Sequence, residues 1–106
     1  LMTLAMLEGF DLGAMGPNTA DSVHVIAEAY RLAYADRDQY MADADFVSVP
    51  LAGLIDSDYL AQRAKLIDPR KSMGVPVAGK CRPFGAQQQL NPVCSVNHLT
   101  TGQRPR

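Results

Sequence analysis

The sequence predicts a mainly α chain with an irregular tail, and three observations carry that expectation. Apolar residues recur at helical spacing from Thr19 to about Met41 with no Gly or Pro between them. A second helical run lies in "DSDYLAQRAKLID", residues 56–68. After that, Pro69, Pro76, Pro83, Pro92 and Pro105, with Gly74, Gly79, Gly85 and Gly102 and the run "QQQ", leave no period at all. The expected organisation is a helical segment over residues 1–80 and a disordered tail over 81–106. At 106 residues the chain suits one small domain or a piece of a larger one. Its opening on Leu1, directly into "LMTLAML", is what a segment cut from a longer polypeptide would show.

Each element has its own signals. Residues 2–8 read as the end of a helix stopped by Gly9, which takes a left-handed cap at low cost. "GFDLGAMGPN" reads as a loop, broken by three glycines and Pro17. Asn18 or Thr19 caps the long helix, whose buried face is expected at Val23, Ile26, Ala27, Tyr30, Ala33 and Tyr34. "DADFVSVP" changes period, and Pro50 confines residues 45–50 to an edge or an extended link. The last helix starts at Asp56 or Ser57, buries Tyr59, Leu60, Ala64 and Ile67, and places Arg63 and Lys65 toward its negative end.

Composition narrows function. "LMTLAML" is too short to span a bilayer, which takes about 20 apolar residues, and it lacks the basic start and cleavage site of a signal peptide. Cys81 and Cys94 have neither CxxC spacing nor nearby histidines, so no zinc site or disulfide framework is expected. Charge is uneven. Residues 1–62 hold ten acids against Arg31 and Arg37, a formal −8, whereas residues 63–106 hold Asp68 against eight bases, a formal +7. The basic tail is the one feature suited to phosphate contacts, but its bases are scattered among Pro, Gly and Gln with Phe84 as the single aromatic, so no nucleic-acid partner is expected.

The densest chemistry is "YADRDQYMADADF", where Asp36, Asp38, Asp43 and Asp45 surround Arg37. Asp36 and Asp38 are two apart and diverge on a helix, while Asp36 and Tyr40 share a face. The stretch also lacks the glycine turn and bidentate glutamate of an EF-hand, so no metal is called for. The acids are expected to be structural. Asp36 and Arg37 are placed for ion pairing, Tyr40 and Asp45 for anchoring the turn, and Asp43 with Asp45 for organising the chain past the helix end. His24 reads as a packed or solvated residue. His98 next to Thr100 and Thr101 lacks a third orienting group for nucleophilic catalysis.

"MLEGFDL", "ADSVHVIAEAYRLAYADRDQY" and "DADFVSVPLAGLI", in that order, resemble the gamma-glutamyltransferase (glutathione hydrolase) family over about residues 1–80. The block from A-D-R-x-x-Y to V-P is the specific part. Ala42 and Ala44 depart from the family's G-D-P-D-F turn. The resemblance implies an N-terminal-nucleophile hydrolase, an αββα sandwich made as a precursor that cleaves itself into a large and a small subunit. The new N-terminal threonine then transfers or hydrolyses gamma-glutamyl amides such as glutathione. On that reading this chain is the C-terminal part of the large subunit, inactive alone and needing no cofactor. Its partners are the remainder of the large subunit and the small subunit, and family members are periplasmic or extracellular. Thr100 and Thr101 are followed by Gly102 rather than by the family's histidine and strand, so the nucleophile is not carried over to Thr100. The contrasting reading is a small helical interaction module whose Val23, Ile26, Tyr30 and Tyr34 face packs on a partner protein.

Overall fold

The long helix predicted from periodicity organises everything else in the computed structural model, which describes residues 1–43, 45–46, 49–81 and 94–95. Helix α3, Ala20–Tyr40, starts at a capping box in which the Ser22 N–H donates to Thr19 Oγ1 (3.2 Å) and the Thr19 N–H donates to Ser22 Oγ (3.1 Å). Asn18 just before it takes a left-handed φ of 56°, which asparagine tolerates better than most residues. Helix α1, Met2–Leu7, and helix α5, Ser57–Ala64, are the other packing elements. α1 lies against both α3 and α5. The core between them holds Met6, Val25, Ala29, Leu32, Leu54, Tyr59, Leu60 and Ile67. The family of expectations summarised as mainly α therefore holds for the described residues.

Several details differ from the sequence reading. The left-handed cap at Gly9 is not used: α1 ends on Glu8 in right-handed geometry, and the loop after it contains a four-residue helix α2, Leu12–Met15, capped where the Ala14 N–H donates to Asp11 Oδ1 at 3.0 Å. Pro50, at the end of the expected link, is the N-cap of another short helix, α4, Leu51–Leu54. α5 is capped by Asp56, whose Oδ1 accepts from the Tyr59 N–H at 2.9 Å.

The larger correction concerns the buried face of α3. Ser22, Val25, Glu28, Ala29, Leu32, Ala33 and Asp36 point inward, while Val23, Tyr30 and Tyr34 are 55%, 51% and 51% exposed. Both stripes have helical period, and the inward one contains two acids, so polarity hid it. Those acids are buried because other groups satisfy them there.

Beyond α5 the chain turns back. Residues 72–81 lie along α3 as an extended strap, ending in strand β1, Lys80–Cys81, which pairs antiparallel with strand β2, Cys94–Ser95, in the register Lys80 opposite Ser95 and Cys81 opposite Cys94. Cys81 and Cys94 are joined by a disulfide, a link for which the sequence reading found no indication. Spacing alone does not reveal it, since a bridge depends on where the strap brings Cys81. The remainder of the expected tail, including His98, Thr100 and Thr101, lies outside the described residues, as do residue 44 and residues 47 and 48 of the link. No described helix is long and apolar enough to cross a membrane.

Candidate functional site

Three points along α3 hold the strap. At the first, Glu28 accepts the Met73 N–H (2.9 Å), and Arg31, paired with Glu28, donates to Ser72 Oγ (3.3 Å) and to the Gly74 carbonyl. Gly74 turns the chain there with φ 76°, a left-handed value that a side chain would strain. Burial works to raise the Glu28 carboxyl; the Met73 N–H and the Arg31 charge outweigh it, and the net shift is downward.

Two turns on, Asp36 is fully buried and its carboxylate accepts from four donors: Tyr59 Oη (2.8 Å) and Arg63 Nε (3.2 Å) on Oδ2, Arg63 Nη2 (3.0 Å) and the Gly79 N–H (2.8 Å) on Oδ1. Arg63, 1% exposed, spends its other donors on the Val77 carbonyl (2.9 Å) and the Leu32 carbonyl (3.2 Å). Taking two charges out of water costs several kcal/mol per ion, roughly, and is compensated only when the remaining lone pairs and protons find partners. Here they do: among the described residues no buried side-chain nitrogen or oxygen lacks a hydrogen bond. Burial first, and then the Asp36 charge, push the Tyr59 hydroxyl well above the ordinary tyrosine value, so it stays a donor to the carboxylate.

One turn further, Tyr40 donates its hydroxyl proton to the Gly79 carbonyl and accepts the Cys81 N–H at 3.1 Å. Gly79 is thus held on its N–H by Asp36 and on its carbonyl by Tyr40. A Cβ at Gly79 would fall 2.0 Å from Tyr59 Oη, so only glycine permits this approach.

The five residues singled out from sequence separate in space. Asp36 and Tyr40 meet the strap as just described. Arg37 does not pair with Asp36. It is largely exposed, sits over the Tyr34 ring at 5.3 Å and comes no nearer than 3.6 Å to Asp38. Asp43 Oδ1 accepts the Asp45 N–H at 2.9 Å, and the Phe46 N–H donates to the Asp43 carbonyl at 3.0 Å, a local turn beyond the helix. His24 Nε2 donates to the Asp68 carbonyl at 2.7 Å, pinning the chain just beyond α5 to the start of α3.

Sequence reasoning missed Arg63, Tyr59, Gly79 and Glu28. A signal did exist. Val25, Ala29, Leu32 and Asp36 share one helical stripe, and Arg63 stands four residues after Tyr59 and three after Leu60. Opposite charges placed on the inner stripes of two helices are the pattern of a buried pair.

This arrangement binds chain to chain, and the charges of Asp36 and Arg63 are engaged in doing so. Every lone pair of Asp36 is engaged, so it is neither a free base nor a metal ligand. Among the described residues no group of three His, Cys, Asp or Glu could hold a metal ion. A groove of about 560 Å³ between α1 and α5, floored by Met6, Phe10 and Leu60, is lined by Glu8, Ser57 and Lys65 but by no histidine or cysteine.

Comparison with known proteins gives the arrangement a context. A family model described as gamma-glutamyltranspeptidase matches residues 1–101, well past Lys80, where the family pattern was expected to fade. The acylase ACY 1 proenzyme of Pseudomonas sp. strain V22 is 50% identical over 64 residues, which is 60% of this chain and 12% of that protein. The glutathione hydrolase proenzyme of Escherichia coli K12 is 38% identical over 87 residues, 80% of this chain and 15% of that one. The crystal structure of Helicobacter pylori gamma-glutamyltranspeptidase superposes with a TM-score of 0.62 at 44% identity, over 66% of this chain and 20% of the other. The gamma-glutamyltranspeptidase of Pseudomonas nitroreducens, solved with L-DON, gives 0.58 at 30% identity, over 72% and 25%. The chain spans only 12–15% of the length of these two curated relatives. With helices, order of motifs and 101 matched residues in agreement, the chain belongs to the gamma-glutamyltranspeptidase family.

Proposed function

We propose that this chain is the C-terminal part of the large subunit of a gamma-glutamyltransferase or glutathione hydrolase, a scaffold segment with no activity of its own. The observation that carries the reading is the family match over residues 1–101 by a chain that spans 12–15% of relatives named as proenzymes. The parent transfers or hydrolyses gamma-glutamyl amides of the glutathione class through an N-terminal threonine that lies outside this chain. In the parent the helices pack on the αββα sandwich, and the remainder of the large subunit and the small subunit are their partners. The Asp36–Arg63 pair supports this role, because its charged groups are consumed in holding α3, α5 and the strap together.

Within that scaffold, Asp36 and Tyr40 fix the strap, Asp43 and Asp45 shape the turn after α3, and Arg37 covers Tyr34 on the outer face. The exposed Val23, Tyr30 and Tyr34 stripe is the surface that meets the rest of the parent. The same stripe is what favours the second reading, an interaction module that packs on an unrelated protein.

The test is a precursor in which this segment continues into a small subunit. Mass spectrometry of the purified precursor over time is expected to show two pieces, the second beginning with threonine. A precursor that folds and stays intact contradicts the reading.

A further inference from the structure

Gly79 is gripped by α3 side chains on both sides of its own backbone, by Asp36 on the N–H and by Tyr40 on the carbonyl, with the Tyr59 ring filling the place of a side chain. The grips come from adjacent turns of one helix, so they specify a register: sliding the strap by one residue would put the Cβ of Ala78 or Lys80 into the Tyr59 ring. The two residues that follow, Lys80 and Cys81, carry this register onward. Tyr40 accepts the Cys81 N–H, β1 pairs with β2, and the disulfide joins Cys81 to Cys94. Both the outgoing chain at residue 81 and the returning chain at residue 94 are therefore tied to the same two side chains of α3.

We infer that Tyr40 and Asp36 are positioning residues for self-cleavage of the precursor: by locking Gly79 in register they set where the chain beyond residue 81 enters the processing region. The inference rests on the reading proposed above. In that step the threonine hydroxyl adds to the carbonyl carbon of the residue before it, and the peptide C–N bond breaks as its nitrogen takes a proton. Water then cleaves the resulting ester, leaving a new carboxylate upstream and restoring the threonine hydroxyl beside a free α-amine. Such an attack needs its atoms about 3–3.5 Å apart and aligned, and a misplacement of about 1 Å can cost roughly a hundredfold in rate. A register lock upstream of the scissile bond acts on that geometry. It has no part in binding substrate once the bond is cut.

The experiment follows cleavage of the extended precursor by mass spectrometry and then assays the matured enzyme on a gamma-glutamyl anilide. Tyr40→Phe removes one hydroxyl and leaves the ring in place. It is expected to slow cleavage by about tenfold or more, with kcat and KM of the matured enzyme unchanged. Tyr34→Phe, on the outer face of the same helix, is expected to cleave like the unmutated precursor. Leu60→Ala serves as a variant that destabilises the core without touching the strap. If Tyr40→Phe cleaves at the unmutated rate, or if Leu60→Ala slows cleavage as much, the positioning role is overturned while the family reading stands. An unmutated precursor that folds and does not cleave overturns the proposed function, and this inference with it.

Discussion

Arg63 grips Asp36 with two nitrogens, Nε at 3.2 Å from Oδ2 and Nη2 at 3.0 Å from Oδ1, joining helices α3 and α5 through the interior. Neither residue is reached by solvent to any useful extent, and the carboxylate's remaining capacity goes to Tyr59 and to the backbone of Gly79. The pair is therefore the junction of three segments that are far apart in sequence, and most expectations for this molecule derive from it.

Removing one partner strands the other charge. Arg63→Ala or Asp36→Ala is expected to destabilise the chain by about 3–5 kcal/mol, read from urea unfolding. Arg37→Ala, at an exposed site, is expected to stay within about 0.5 kcal/mol. The Asp36→Leu, Arg63→Met double variant should regain only part of the loss, because Tyr59 Oη and the Gly79 N–H are still left without an acceptor. Equal effects at Arg37 and Arg63 would contradict this assignment of the pair.

The close approach of Gly79 to Tyr59 makes a second expectation. Gly79→Ala forces a Cβ to within 2.0 Å of the Tyr59 hydroxyl oxygen, and that ring is held by Asp36 and cannot swing aside freely. Overpacking of this kind costs about 1–3 kcal/mol. In a Tyr59→Ala background the added penalty is expected to vanish, which a double-mutant cycle measures.

Acid should loosen the strap at its start. The Glu28 carboxyl is held below its ordinary value when folded, so the unfolded chain takes up that proton first as pH falls. Its contribution is complete above the usual carboxylate value of about 4.3 and is lost as pH drops through the lower folded value. Urea midpoints measured from neutral pH down to about pH 3 should therefore fall less steeply for Glu28→Gln than for the unmutated chain. Identical profiles would contradict the role given to Glu28.

The disulfide closes a loop between residues thirteen apart, and loops of about 15 residues gain roughly 3 kcal/mol from such a link in the chain-entropy account. The purified chain is expected to show no thiol titre before reduction and two afterward, with Cys81→Ser, Cys94→Ser unfolding at lower urea. Two free thiols in the unreduced chain would remove the link from the account.

How far the sequence discloses this molecule depends on which force shapes each part. The starts of α3 and α5 are legible because Thr19 and Asp56 cap locally, through bonds to their own neighbours. The inner face of α3 is not, because Glu28 and Asp36 count as polar in any periodicity while their partners, Met73, Gly79 and Arg63, are supplied by distant segments. Arg63 looked like a charge at a helix end for the same reason. The short helices α2 and α4 escape because four residues are too few for a period to register. The family signature was legible where local motifs carry it, in the run from Ala35 to Pro50. The turn after α3 follows from the short Asp43 side chain accepting the N–H of Asp45 two residues on.

The most direct test of the scaffold account compares the 106-residue chain with the precursor extended through a small subunit, both assayed for product release from a gamma-glutamyl anilide. The account predicts release by the extended form alone, after it has cleaved itself. Release by the chain on its own, or none from an extended form that folds, would contradict it.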